Sequence, residues 1–242
     1  MKDVFGLIYT SDESDMRLRD LTRSRSIAAM PIGGRYRVID VLLSNLVHSG
    51  VSNVGLITQR NYHSLMDHLE SGKAWDLNRK RDGLFILPPY VTRSSTGSYS
   101  GLLDAIRSNL NYVRRASQRY ALISGSSTVF NMKFDDMMAQ HLATGADITI
   151  LYNVPAEDES NGDADRTHLK MDESGRVVDI EVTPHLNTYP NVSMDVYIMD
   201  KALLTYLVEV SAAHYRSDFV RDVLIKQLGE LKIYGYKYDG YV

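Results

Sequence analysis

Short apolar runs alternate with longer amphipathic ones along the chain, and this restricts its architecture more than any other feature. Val4–Thr10, Val54–Thr58, Leu84–Leu87, Tyr120–Ser124, Asp147–Asn153 and Val196–Met199 are too short for helices and apolar enough for buried strands. Between them, Val38–His48 carries Ile39, Leu42, Leu43, Leu46 and Val47 at helical spacing, with Gly50 just past its end. Gly101–Arg115 aligns Leu102, Leu103, Ile106, Leu110 and Val113 on one face and reads as one helix. Phe134–Thr144 opens on Asp135 and Asp136, which suit a positive helix end, and stops at Gly145. Lys201–Ser211 and Phe219–Leu228 read as two more helices, and His168–Met171 with Val177–Val182 as a hairpin around "DESGR". Strands separated by helices predict an α/β fold with a mainly parallel sheet. No linker or repeat divides residues 1–242, so one domain is expected.

Composition narrows the function classes. With 242 residues and 44% hydrophobic content, the chain can bury a sizeable core. A net charge of −3 argues against general attraction to nucleic acid or anionic membrane. The chain has no cysteine, which excludes disulfides, thiolate catalysis and thiolate metal sites and suits a cytoplasmic protein. No apolar run is long enough to span a bilayer, and Met1–Phe5 lacks signal-peptide features. The last strand, "KIYGYKYDGYV", sets Tyr234, Tyr236 and Tyr238 on one face at period two. The chain stops there without a cap, so a truncated end is expected, with a tyrosine face left for docking.

The first strand runs into "TSDESDMRLRDLT", where many α/β proteins hold a nucleotide phosphate. Such loops are glycine-rich; this one carries Asp12, Glu13 and Asp15 instead. Several segments around it resemble bacterial glucose-1-phosphate adenylyltransferase (ADP-glucose pyrophosphorylase). "MPIGGRYRVIDVLLSNLVHSGV" is similar to that family's P-F-G-G-K/R-Y-R-I-I-D-x-x-L-S-N, and "GLITQRNYHSLMDHL" to L-T-Q-x-x-x-x-S-L. "AWDL" followed by "ILPPY" keeps the order. "YSGLLDAI" resembles Y-x-G-T-A-D-A-I, "YALISGSSTVFNMKFDDMMAQHLATGADITI" the next strand-helix-strand unit, and "SMDVYIMD" S-M-G-I-Y-I-F. One match would be weak, but six in register over the whole chain are specific.

The resemblance implies a Rossmann-like nucleotidyltransferase domain with a mainly parallel mixed sheet. A left-handed β-helix domain is expected beyond residue 242 and is absent from this chain. The implied reaction joins ATP and glucose 1-phosphate into ADP-glucose and pyrophosphate for glycogen synthesis, with Mg²⁺ as the cofactor of catalytic members. Arg17, Gln59 and Gly101 match the family's nucleotide positions. A loop anchor is the better reading of Arg17, and a strand-end polar group that of Gln59.

The departures fall where that chemistry needs particular residues. Aligned on Arg17, Leu18, Leu21 and Thr22, the family's three loop glycines fall on Asp12, Glu13 and Asp15. Side chains there occupy the space of the phosphates, and each like-charge pair at about 5 Å costs roughly 3 kcal/mol at an effective dielectric of about 20. A ligand with a dissociation constant near 0.1 mM has only about 5–6 kcal/mol to lose. The family's A-K-P lysine corresponds to Ile27 and its L-S-G-D magnesium aspartate to Ser126, a neutral hydroxyl. Its E-K-P motif reads Val182-Thr183-Pro184, which puts Thr183 at the sugar-phosphate lysine.

Loss of these positions together, with the fold segments kept, resembles the GlgD-type regulatory subunit. That implies a partner, the catalytic glucose-1-phosphate adenylyltransferase subunit, in a hetero- or homo-oligomer, with no nucleic acid and no membrane. No cofactor or metal is expected in this chain. The alternatives are a weakly active sugar-nucleotide adenylyltransferase and a non-catalytic sugar-phosphate sensor.

The remaining polar features have plainer readings. Gly33-Gly34 with Arg35–Arg37 supports a turn into a helix, and Asp40 and Asn45 tie neighbouring loops. His63 and His68 are surface residues without metal spacing. Arg79-Lys80-Arg81 and the acidic stretch 157–165 are solvated loops.

Overall fold

The computed structural model describes residues 1–10, 18–89, 91–92, 95–96, 98–155, 166–182 and 189–242. The strands of its main sheet are β1 (Val4–Tyr9), β2 (Asn53–Ile57), β3 (Gly83–Leu87), β4 (Tyr120–Gly125), β5 (Ile148–Asn153), β6 (Thr167–Met171), β7 (Val177–Val182), β8 (Asn191–Asp200) and β9 (Ile233–Lys237). The helices are α1 (Val38–His48), α2 (His63–Leu69), α3 (Leu102–Ser108), α4 (Leu110–Arg115), α5 (Asp135–Thr144) and α6 (Lys201–Ala213).

One sheet runs β3-β2-β1-β4-β8-β5-β9, with the β6–β7 hairpin joined to the start of β8. β1 pairs in parallel with β2 and β4, β2 with β3, and β5 with β9. β8 alone is antiparallel to the central strands it divides. This is the mainly parallel α/β sheet that the alternation predicts.

Two cores cover the faces. One joins Phe5, Leu7, Ile123 and Tyr197 of the sheet to Leu103, Ile106, Leu204 and Phe219. The other joins Ile8, Val54, Leu122 and Ile198 to Leu42, Leu46, Leu65 and Phe134. Strands buried on both faces have no room for polar alternation, hence their continuous apolar runs.

Helix ends follow their local chemistry. Gly50 and Gly145 take left-handed φ values of 79° and 60° just beyond α1 and α5, and the Asp200 carboxylate accepts the Ala202 N–H at 2.7 Å to start α6.

Three expectations change. The single helix over 101–115 is two helices that break at Asn109. The Asn109 side-chain amide donates to the Ala105 carbonyl at 2.9 Å and to the Tyr99 hydroxyl at 3.2 Å, drawing the chain out of helical register. The segment after Phe219 is a π-type turn, Val220–Leu224, followed by irregular turns. The tyrosines of β9 do not form an open face. Tyr236 and Tyr238 pack on the second core, with Tyr238 edge-on to Phe130 at 5.7 Å, while Ile233 enters the first core. Gly235 is buried so closely that a Cβ there would meet the Met171 sulfur at 2.3 Å.

His68 is not a plain surface residue. Its Nε2 lies 2.7 Å from Asp40 Oδ1, while Asp40 Oδ2 accepts the Arg37 N–H at 3.0 Å. Asn45 donates to the Phe130 carbonyl at 2.7 Å, so both polar groups of α1 tie loops to it as expected. Gly33 and Gly34 turn the chain at φ 56° and 87° ahead of α1. Among the described residues, no helix is long and apolar enough to cross a membrane.

Candidate functional site

The strand order reverses at β1, whose neighbours β2 and β4 follow it on opposite sides. In open α/β sheets a ligand crevice lies beyond the carboxyl ends of the strands at such a reversal. Here the crevice floor is a row across the sheet: Leu87 is in register with Ile57, Ile57 with Tyr9, and Tyr9 with Gly125. All belong to, or pack against, the face that carries α3 and α6, apart from Gly125, which has no side chain to offer.

One end of the row is closed by hydrogen bonds. The Thr10 N–H donates to the Ile57 carbonyl at 3.1 Å, and the Gln59 N–H to the Thr10 hydroxyl at 3.2 Å. Gln59, only 3% exposed, donates through its amide nitrogen to the Tyr9 hydroxyl at 2.6 Å and accepts the Tyr99 N–H at 3.2 Å. Its amide therefore clamps the ends of β1 and β2 to the approach to α3. Two residues on, Gly101 lies where a Cβ would meet the Ser217 carbonyl oxygen at 2.4 Å, and that oxygen accepts the Leu103 N–H at 3.0 Å. Close packing of two backbones is thus reason enough for glycine at 101.

The Ser217 loop is itself held. The Asp222 carboxylate accepts the N–H groups of Ser217 and Asp218, both at 3.2 Å, and the Lys226 ammonium at 2.7 Å. Burial works against its charge, but Lys226 and these N–H groups hold its pKa below the ordinary aspartate value.

The other end of the row is different. A Cβ at Gly125 would meet the Asp195 Cβ at 3.5 Å, an ordinary contact, so Asp195 lies beside Gly125. It sits in an irregularity of β8 between Ser193 and Val196, at φ 55°, with its side chain exposed. The Tyr197 hydroxyl donates to its carboxylate at 3.2 Å, and its N–H donates to the Ser193 hydroxyl at 3.2 Å. Burial first, and the Asp195 charge second, push the Tyr197 hydroxyl well above the ordinary tyrosine pKa.

The structure thus joins Gln59 and Gly101 through Tyr99 and sets them along the crevice that Gly125 and Ser126 end. Ser126 is 6% exposed just after β4. Ile27 is held elsewhere: its short turn, Ile27–Ala29, buries Ala28 and Ala29 in the core of the opposite face. Asp12, Glu13, Asp15, Arg17 and Thr183 lie outside the described residues. Among the described residues, no group of three or more His, Cys, Asp or Glu side chains could hold a metal ion. Asp195 escaped the sequence reading, although a signal was there: it stands at the glycine of S-M-G-I-Y, in a segment counted as a match.

Comparison with known proteins agrees with this geometry. The chain is 33% identical over 244 residues to the glucose-1-phosphate adenylyltransferase of Halalkalibacterium halodurans, covering 99% of this chain and 62% of that protein. It is 37% identical over 245 residues to that of Thermomicrobium roseum, covering 100% of this chain and 56% of that protein. With that of Thermotoga neapolitana the identity is 36% over 246 residues, covering 100% of this chain and 57% of that protein. The chain thus spans about six-tenths of the length of these relatives. The sequence pattern of the nucleotidyl transferase family matches residues 14–239, which takes in every strand of the sheet except β1. The chain belongs to the nucleotidyl transferase family.

Proposed function

We propose that this chain acts as a regulatory, catalytically impaired subunit of glucose-1-phosphate adenylyltransferase, associating with a catalytic subunit in glycogen synthesis. The observation that carries this reading is Ser126. A buried neutral hydroxyl stands at the carboxyl end of β4, where a transferase of this family needs a carboxylate to hold Mg²⁺ on the phosphates. Ile27, an apolar residue at the position of a phosphate-balancing lysine, supports it. So does the glycine-free acidic stretch Asp12–Asp15. Carboxylates there repel a triphosphate, and no cofactor is held. On this reading the family's crevice persists because the sheet, the Gln59 clamp and the subunit contacts depend on the same segments.

The test is enzymatic. The chain with ATP, glucose 1-phosphate and Mg²⁺ forms no ADP-glucose by itself, and it raises the rate of a catalytic glucose-1-phosphate adenylyltransferase mixed with it. Product formation by the chain alone at the rate of the mixture overturns the reading in favour of an active transferase. Calorimetric titration with Mg-ATP shows no saturation below about 1 mM, a limit of roughly 4 kcal/mol; micromolar binding refutes the argument from the acidic loop.

A further inference from the structure

The start of α3, which walls the crevice beside Gln59, is held by a distant part of the chain. The first N–H groups of a helix have no partner within it. Leu103 finds one in the Ser217 carbonyl oxygen at 3.0 Å, the same oxygen that a Cβ at Gly101 would meet at 2.4 Å. That oxygen belongs to the peptide joining Ser217 to Asp218, whose N–H lies on its other edge. Asp222 Oδ2 accepts this N–H at 3.2 Å, and the Ser217 N–H at 3.2 Å as well. A peptide is a rigid plane, so gripping its N–H also aims its carbonyl. The Asp222 N–H returns the grip by donating to the Asp218 carbonyl at 3.0 Å. The carboxylate is braced in turn: its Oδ1 accepts the Lys226 ammonium at 2.7 Å. Two further anchors hold the loop. The Arg216 N–H donates to the Ser211 carbonyl at 3.0 Å, and Phe219 is buried edge-on to Tyr197 at 5.0 Å. These fix where the loop lies, whereas Asp222 fixes the tilt of the one peptide that touches α3.

We infer that Asp222 is a positioning residue for the crevice wall: its carboxylate, braced by Lys226, aims the 217–218 peptide at the start of α3 and so holds position 101 to glycine. The link runs through one hydrogen-bonded chain, from carboxylate to N–H, across the peptide, and from carbonyl to the Leu103 N–H. An ionised acceptor at one end polarises the peptide and strengthens the bond at the other. The inference goes beyond the regulatory reading and does not depend on it, since it concerns the wall whatever the crevice holds.

Two measurements on the 242-residue chain test it. The first is a double-mutant cycle by urea unfolding with Gly101→Ala, Asp222→Ala and the pair. With Asp222 present, Gly101→Ala should lower the folding equilibrium constant about tenfold, because the peptide cannot turn away from the new methyl. With Asp222→Ala the peptide yields, and the penalty should shrink at least threefold. Asp222→Asn, which keeps an acceptor oxygen but loses the charge, should give an intermediate penalty. The second is amide hydrogen exchange. Asp222→Ala should speed exchange of the Leu103 N–H at least tenfold relative to that of Ile123 in the core of β4, a local change that general destabilisation would not produce. Lys226→Ala, at a half-exposed position, should speed it at least threefold and serves where Asp222→Ala does not fold. A Gly101→Ala penalty that shrinks by less than threefold overturns the inference, and so does Leu103 exchange that moves only with that of Ile123.

Discussion

The two ends of the crevice row are built on different principles. Around Gln59 every polar group named has a partner: the amide bridges the Tyr9 hydroxyl and the Tyr99 N–H, and the Thr10 hydroxyl takes the Gln59 N–H. Beside Gly125 stands an exposed carboxylate, Asp195, at a left-handed backbone position. The Gln59 end holds the sheet to the approach to α3. Segments that match the family and positions that depart from it thus lie within a few residues of each other.

The comparison breaks most visibly at Gln59. Gln59→Ala removes the amide that bonds both the Tyr9 hydroxyl and the Tyr99 N–H. At a net of about 0.5–1.5 kcal/mol per hydrogen bond, a loss of roughly 2 kcal/mol is expected, a fall in melting temperature of about 4–8 °C for a chain of this size. Differential scanning calorimetry reads it; a fall under about 2 °C would mean that the clamp is not structural.

Gly101→Ala comes next. The added methyl meets a backbone oxygen that is itself bonded to the Leu103 N–H, so neither can yield cheaply. Overpacking of this kind costs about 1–3 kcal/mol, readable as a lower urea midpoint at unchanged slope. A neutral result would show that the Ser217 loop shifts freely and that glycine at 101 serves something other than packing.

Tyr197 lies on β8, beyond the Gly125 end, buried yet bonded to Asp195, and adds a dependence on pH. Its folded pKa is raised, so the folded state keeps its proton while the unfolded chain loses it. That contribution is fully present below the ordinary tyrosine pKa of about 10 and is lost as pH rises above it toward the folded value. Tyr197→Phe should therefore flatten the decline of unfolding free energy between about pH 10 and 11. An unchanged slope would show that the hydroxyl is not buried as described.

The smallest effect belongs to Gly125. Gly125→Ala adds a methyl at 3.5 Å from one side-chain carbon, an ordinary contact, so stability should change by less than about 0.5 kcal/mol. A large loss would mean that Gly125 is packed as tightly as Gly101.

Much of the fold was legible because burial on both faces writes itself into sequence. The strands β1, β2, β4 and β5 are predominantly apolar, and α1 and α5 carry helical spacing, acidic starts or glycine ends. Less of the site was legible. Gln59 read correctly as a strand-end polar group, and Asp40 and Asn45 as loop ties, since a polar residue between apolar ones must find a local partner. Asn109 looked like one polar position on a long helix, yet its side chain competes with the backbone and splits it. His68 looked exposed, because nothing local says that Asp40, 28 residues earlier, lies 2.7 Å away.

By itself the sequence determined the alternation of strands and helices, the family pattern, and the identities at Ile27 and Ser126. These follow from local periodicity and residue chemistry. Only the tertiary structure decided that glycine at 101 answers to the Ser217 carbonyl, that both faces of β9 meet a core, and that Asp195 comes to lie beside Gly125. Each depends on where a distant segment comes to rest. A contact between residues 70 or 116 positions apart leaves no local periodicity, and a left-handed backbone angle is set by the strand irregularity that imposes it.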